Sequence, residues 1–281
     1  VDAVLAALRS GGLDAVAAPT RAPGHATELA AEAARAGVDV AVAWGGDGTV
    51  REVATGLLGT QTALGIVPGG TTNVVAIAFG LPSRPLPAAA RLGSLDPRPI
   101  DVGLCGGRPF LMQASSGPEA HLMERVAGSR LKAWLGLPGV ILASLPVLLR
   151  YRFPEVVVRA DGEVVRCTGA MVCNISEVAG PYRVAPDGRY DDGHLELLVF
   201  RGRGLWATAG FAVALFFGRH LQRADTELRP VRTVVFEPSP GACVQLDGDA
   251  MDVPRPAEVG LAPQRLLALV DGGGQGGQND R

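Results

Sequence analysis

The chain has 281 residues, enough for two domains that each bury a core, and its 26 Lys and Arg nearly balance its 28 Asp and Glu. A net charge of -2 leaves no electrostatic footprint for nucleic acid, because a backbone binder needs a basic excess or a basic face. No nucleic-acid partner is expected. Cys105, Cys167, Cys173 and Cys243 form no CxxC pair, and His25, His121, His194 and His220 never approach zinc-motif spacing. The thiols read as small buried hydrophobes in a reducing compartment. Val1-Asp2-Ala3 lacks the basic start, apolar core and cleavage site of a secretion signal, so the expected location is cytoplasmic.

From Asp2 to Pro82 helical and strand patterns alternate. Ala26 to Ala36 places Leu29, Ala30, Ala33 and Ala34 on one helical face and stops at Gly37. The apolar run Val38 to Trp44 predicts a strand buried on both faces. It leads into Gly45-Gly46-Asp47-Gly48-Thr49. Val50, Val53, Ala54, Leu57 and Leu58 then recur at helical spacing. The pattern repeats with strand Leu64 to Val67, loop Pro68 to Asn73 and helix Val74 to Phe79. Strand, glycine loop and helix, twice over, predict a parallel α/β sheet with its ligand beyond the carboxyl ends of the strands.

The prolines Pro82, Pro85, Pro87, Pro97 and Pro99 mark a boundary, and the character of the chain changes beyond it. Val156 to Val158 and Val164-Val165 flank Asp161-Gly162, a hairpin signal. Strand-like runs follow at Ala170 to Cys173, Leu195 to Phe200, Val231 to Phe236, Val244 to Leu246 and Leu266 to Val270, so this half reads as antiparallel β. Two apolar stretches, Trp134 to Leu149 and Leu205 to Phe217, fall short of the roughly 20 residues that cross a bilayer. They read as core helices or as an interfacial face anchored by Arg150, Arg152, Arg219 and Arg223. The glycine-rich tail lacks core-forming side chains and is expected to be disordered. The partition is residues 1–97, an α/β domain; 98–271, a β-rich domain; and 272–281, the tail.

Three loops carry candidate chemistry in the two halves, and a fourth is rich in acids. Gly45 to Thr49 combines glycines that let N–H groups approach an anion, a helix N-terminus, and a carboxylate suited to magnesium or polar substrate groups. Pro68 to Asn73 adds two glycines, two hydroxyls and an amide before another helix; Thr72 or Asn73 can also serve simply as an N-cap, worth about 1 kcal/mol. Asp247-Gly248 ends a strand and reads either as a hairpin turn or as a carboxylate held on rigid β structure to orient and deprotonate a hydroxyl. Ala185 to His194 is either a solvated turn or an oxygen-rich site for a hard cation.

Taken together, GGDGTVREVATGLLG, LGIVPGGTTNVVAIAFGLP, APDGRYDDGHLELLVF and VQLDGDA resemble the diacylglycerol kinase catalytic-domain family, in its bacterial lipid kinase branch, across nearly the whole chain. The resemblance implies an NAD kinase/diacylglycerol kinase-like fold: an N-terminal α/β parallel-sheet nucleotide domain plus a C-terminal antiparallel β-sandwich. It implies transfer of the γ-phosphoryl group of ATP to a lipid hydroxyl, with diacylglycerol as the first acceptor to test. By motif position, Gly46, Asp47, Gly48, Thr49, Val50, Arg51, Glu52, Thr71 and Thr20 match the family's nucleotide contacts. Asp247 falls on its catalytic aspartate. Asp192, with the backbone carbonyls of Arg189 and His194, matches a structural Mg2+ site, and a second Mg2+ accompanies ATP.

The sequence departs from the family twice. Asp249 stands where the family has glutamate, and the family's opening strand with its NPxxG loop does not precede Val1. An uncovered sheet edge makes a homodimer one expectation, and peripheral contact with the inner face of the membrane another. Two other readings stay open: a soluble-substrate kinase of the NAD kinase type, which shares GGDG, and a non-catalytic nucleotide or lipid sensor.

Overall fold

The computed structural model describes residues 1–126, 137–177, 182–238 and 243–271. The chain divides into two compact units, one formed by Val1–Val102 with the segment that starts at Ala262, the other running from Gly103 to Leu261. The first unit opens with α1 (Asp2–Ser10), α2 (His25–Arg35), β1 (Val40–Gly45), α3 (Asp47–Leu57), β2 (Ala63–Pro68), α4 (Val74–Ala78), α5 (Pro85–Leu92) and β3 (Pro97–Ile100). Helix α3 forms because Val50, Val53, Ala54 and Leu57 repeat at helical spacing, and all four are buried. Strand β2 is buried at every residue, as its unbroken apolar run requires.

The second unit contains β4 (Gly103–Cys105), β5 (Arg108–Phe110), β6 (Gln113–Ser116), α6 (Pro118–Val126), α7 (Leu137–Arg150), β7 (Val156–Ala160), β8 (Glu163–Cys167), β9 (Gly169–Cys173) and β10 (Leu195–Phe200). It continues with α8 (Gly204–Phe216), a 3-10 turn at His220–Gln222, β11 (Thr226–Val231), β12 (Val234–Pro238), β13 (Val244–Leu246), β14 (Asp249–Met251) and β15 (Ala257–Leu261). Two six-stranded sheets result, ordered β11-β10-β9-β6-β13-β14 and β5-β4-β15-β12-β7-β8. Their apolar residues share one core: Phe110, Val156, Val158, Phe236 and Val259 from one sheet, Ala114, Val172, Leu197, Val199 and Leu246 from the other. Each fully buried Val, Leu or Phe side chain there is worth about 1.5–3 kcal/mol, which makes this core the main support of the unit.

The last strand, β16 (Leu266–Leu269), pairs parallel with β2 and antiparallel with β3, completing a four-stranded sheet of order β1-β2-β16-β3. A partition made along the sequence places this strand and residues 98–102 in the second domain. The chain instead returns to the first unit, where Arg265 pairs with buried Asp101 at 2.8 Å and the Asp271 N–H donates to the Phe79 carbonyl. Strand pattern reveals that a segment is extended, not which sheet receives it. Strand β1 also differs from expectation: it lies at the sheet edge, so Val40, Ala41 and Val42 are only half-buried and Trp44 is 45% exposed.

The second apolar stretch is not a core helix in the expected sense. No residue of α8 is fully buried; Phe211 and Leu215 pack on a small cluster around Met171 and Leu198, while Trp206 is 85% exposed. In α7, Leu148 is buried and Leu145 and Leu149 are exposed; Trp134 to Gly136, like the tail 272–281, lie outside the described residues. No helix among the described residues is long and apolar enough to cross a membrane.

Candidate active site

The two glycine loops of the first unit form one joint. The Gly69 N–H donates to the Gly45 carbonyl at 2.8 Å, and a methyl group on Gly70 would lie 2.6 Å from Gly46 Cα. Glycine at position 70 is therefore demanded by backbone packing between the loops. Gly46, extended at the N-cap of α3, would meet only an ordinary contact at 3.4 Å, so its missing side chain is not explained by the fold.

Asp47 fastens this joint. Its Oδ1 accepts the N–H of Val75 and its Oδ2 the hydroxyl of Thr72, each at 3.1 Å. Val75 lies in the first turn of α4, so Asp47 supplies the acceptor that an N-cap side chain normally provides. Asn73 occupies the N-cap position but its side chain closes its own loop on Gly70, with bonds of 2.8 and 2.9 Å. Glu52 repeats the device for α2: its Oε2 accepts the Ala26 N–H at 3.3 Å, and its carbonyl accepts the Thr27 hydroxyl.

An open pocket of about 350 Å³ is lined by Thr20, Arg21, Ala22, Pro23, Ala26, Thr49 and Glu52. The fold thus brings Thr20 to Thr49 and Glu52 of α3, while Thr71 is exposed on the second glycine loop. Val50 is 2% exposed, and its N–H donates to the Gly46 carbonyl. The expected nucleotide contact at Val50 is therefore not available to its side chain, which belongs to the core. Gly48 and Arg51 lie in the first turns of α3, and the Arg51 carbonyl accepts the Thr55 hydroxyl.

In the second unit, Asp247 and Gly248 both have positive φ, 51° and 88°, and form the two-residue turn between β13 and β14. The turn and the held carboxylate are the same object. Asp247 is 7% exposed, and its carboxylate accepts backbone N–H bonds from Leu111 at 2.9 Å, Met112 at 2.8 Å and Gln113 at 3.0 Å. Behind it, Gln245 accepts the Gly248 N–H at 2.6 Å and donates to Glu119 and to the Ser115 hydroxyl. The Ser115 hydroxyl also donates to Glu119. Burial holds the Glu119 carboxyl above its ordinary range, opposed by these two hydrogen bonds. Sequence reading misses Glu119, whose only local mark is an acid in the first turn of a helix.

The loop carrying Arg189, Asp192 and His194 is internally bonded. Asp192 Oδ1 accepts the His194 N–H at 3.0 Å, and the His194 ring nitrogen lies 3.0 Å from the Asp192 carbonyl. The Arg189 guanidinium grips Asp191 at 3.1 and 3.3 Å. Glu196 is held above the usual carboxylate range by burial and then by the charges of Asp192 and Asp187. Mutually repelling oxygen donors of this kind suit a hard cation, and Asp187 and Glu196 add to the three expected residues.

This pairing of a parallel α/β unit with an antiparallel double-sheet unit defines a class of fold shared by NAD kinases and diacylglycerol kinases. The solved structure of an NAD kinase from Archaeoglobus fulgidus in complex with ATP matches with a TM-score of 0.53 at 13% identity, covering 95% of this chain and 88% of that one. A candidate diacylglycerol kinase of Bacillus anthracis str. Sterne matches with a TM-score of 0.79 at 24% identity, covering 96% and 89%. Residues 1–105 match the diacylglycerol kinase catalytic domain, and residues 113–270 match the YegS C-terminal NAD kinase beta sandwich-like domain. The diacylglycerol kinase of Bacillus subtilis (strain 168) is 31% identical over 251 residues, which span 88% of this chain and 82% of that protein. The chain belongs to the diacylglycerol kinase catalytic-domain family.

Proposed function

We propose that the protein is an ATP-dependent lipid kinase that transfers the γ-phosphoryl group to the hydroxyl of diacylglycerol, giving phosphatidic acid. The observation that carries this reading is the joint of two glycine loops, fastened by Asp47 beside the pocket of Thr20, Thr49 and Glu52. The N-terminal N–H groups of α3 point out of a helix whose N-cap, Gly46, offers no side chain, so they are suited to phosphate oxygens. Thr20, Thr49 and Thr71 add hydroxyl donors. Magnesium, when bound with ATP, neutralises charge on the phosphates, and Asp47 is the carboxylate of this loop suited to it. The second cation belongs to Asp192 and the Arg189 and His194 carbonyls, with Asp187 and Glu196 adding negative charge.

Phosphoryl transfer through a loose transition state depends on positioning more than on proton removal. Asp247 has the required rigidity, because three backbone donors hold its carboxylate. Its role is to align the acceptor hydroxyl and take its proton as the new P–O bond forms. The exposed face of α8, with Trp206, Phe216 and Phe217 beside Arg219, is the surface that meets the lipid bilayer from the cytoplasmic side. Arg223 does not join it, since its guanidinium pairs with Asp225 at 2.6 Å.

The test is incubation with labelled ATP and Mg2+ against diacylglycerol in mixed micelles, with sphingoid bases, ceramide, monoacylglycerol, phosphatidylglycerol and NAD in parallel. Labelled phosphatidic acid is expected. Labelled NADP without labelled lipid would establish the soluble-substrate reading, and nucleotide binding without any product the sensor reading.

A further inference from the structure

Outside the site described above, the second unit gathers one nitrogen, one oxygen and one sulfur donor from separate parts of the chain. His121 and Glu124 lie three residues apart on α6, hence on one face of the helix, and Cys243 immediately precedes β13. Their ligating atoms all lie within 4.8 Å of one another. Among the described residues this is the one group of three such donors that converges. We propose that His121, Glu124 and Cys243 bind a divalent transition metal, with zinc as the best chemical match, and so tie helix α6 to the strand that carries Asp247.

The donor set is the first argument. Imidazole, carboxylate and thiolate are the three ligand types zinc accepts, at about 2.0–2.3 Å, so its ligands stand about 3.5 Å apart and the side chains need to close by roughly an ångström. Cys243 is already fixed at its backbone, where its carbonyl accepts the Ser116 hydroxyl at 3.0 Å. The competing partner is Arg125, whose Nε lies 3.7 Å from Glu124.

The second argument is independent of the three donors. The Tyr151 ring stacks on His121 with centroids 4.5 Å apart, its residue is 9% exposed, and its buried hydroxyl has no hydrogen-bond partner among the described residues. Such a hydroxyl is satisfied by a water on the metal, which completes a four-ligand shell with an outer partner. A pocket of about 520 Å³ has His121 and Tyr151 in its wall, together with Arg125, Arg150 and Arg152. Spacing along the sequence hides the site, because its ligands come from a helix and from the residue ahead of a distant strand.

The test uses the full chain stripped with a chelator and titrated with Zn2+ and Co2+. The expected result is one equivalent bound, a cobalt–thiolate charge-transfer band, and a rise in Tm with zinc. Cys243→Ser should abolish the band, and it and His121→Gln should each weaken zinc binding at least about tenfold, with unchanged far-UV circular dichroism in the metal-free state. Absence of stoichiometric binding, or a band that persists in Cys243→Ser, overturns the proposal. If Cys243→Ser does not fold, metal binding weakened at least about tenfold in folded His121→Gln or Glu124→Gln decides the matter, and parent-like affinity in both overturns the site. The readout is independent of phosphoryl transfer, so it stands or falls apart from the kinase reading.

Discussion

The carboxylate of Asp47 and the backbone N–H of Val75 are 3.1 Å apart, which makes one side chain of the first glycine loop the cap of the helix behind the second. Asp47→Ala removes that cap and the Thr72 bond, with an expected cost of about 1–2 kcal/mol. Asp47→Asn keeps an acceptor for Val75 and a partner for Thr72, so it loses mainly charge at a helix N-terminus, about 0.3–1 kcal/mol. Both variants should lose phosphoryl transfer. Thermal melts beside activity separate the two contributions: near-full turnover in Asp47→Asn would confine Asp47 to fastening the loops.

Gly70 and Gly46 should respond oppositely to alanine. At Gly70 the new methyl meets backbone at 2.6 Å, and forcing the loops apart should cost about 1–3 kcal/mol. At Gly46 the backbone is extended and the nearest atom is 3.4 Å away, so stability should hardly change. If phosphate approaches there, Gly46→Ala weakens binding of an ATP analogue while its melting temperature stays put. Unchanged nucleotide affinity in Gly46→Ala would remove that backbone from the phosphate contact.

Much of the first unit is legible in its sequence because a parallel α/β pattern writes each element locally: an apolar run, a glycine loop, an amphipathic helix. What escapes is whatever depends on a distant partner. Nothing near Asp47 or Glu52 announces that they cap α4 and α2, since a cap supplied from elsewhere has no local spacing. Strand β16 shows its extended pattern but not its return to β2. Helix α8 is apolar all round, so its sequence carries no stripe to tell which face packs, and a core position is the wrong inference for Trp206. Asp247 is found because Asp-Gly after a short strand is a turn signal, yet the three donors around its carboxylate come from residues more than a hundred positions earlier.

Those donors set the outcome at position 247. An amide offers one accepting atom, so Asp247→Asn can satisfy Met112 and Gln113 only by aiming its NH2 group at the Leu111 N–H. A stability loss of about 1–3 kcal/mol is expected together with loss of lipid phosphorylation. Binding of an ATP analogue, measured well below the melting temperature, should survive. Turnover close to that of the parent would leave Asp247 as a clamp on the β5–β6 connection and exclude it from handling the acceptor hydroxyl.

The exposed face of α8 makes a separate prediction. With vesicles containing anionic lipid at low salt, Trp206 fluorescence should shift to the blue and the protein should sediment with the lipid. Trp206→Ser with Phe217→Ser should reduce that association while leaving turnover on diacylglycerol in detergent micelles largely intact. No difference between parent and variant in sedimentation would mean that another surface meets the bilayer.

Stability toward acid should depend measurably on Asp161. Its carboxylate accepts the Thr233 N–H at 3.0 Å, the Arg232 N–H and the Thr233 hydroxyl, tying the β7–β8 turn to the start of β12. The Thr233 backbone bond is the main cause that holds this carboxyl below its ordinary range. Protons therefore bind the unfolded chain first, and the stabilisation is complete above the ordinary aspartate range near about pH 4 and is lost as pH falls through the lower folded value. Asp161→Asn tolerates the positive φ of 47° but carries no titrating group. In chemical denaturation at stepped pH, the gap between parent and variant should be widest at neutral pH and shrink below about pH 4. A gap that stays constant down to full protonation would show that the charge on Asp161 does not stabilise the turn.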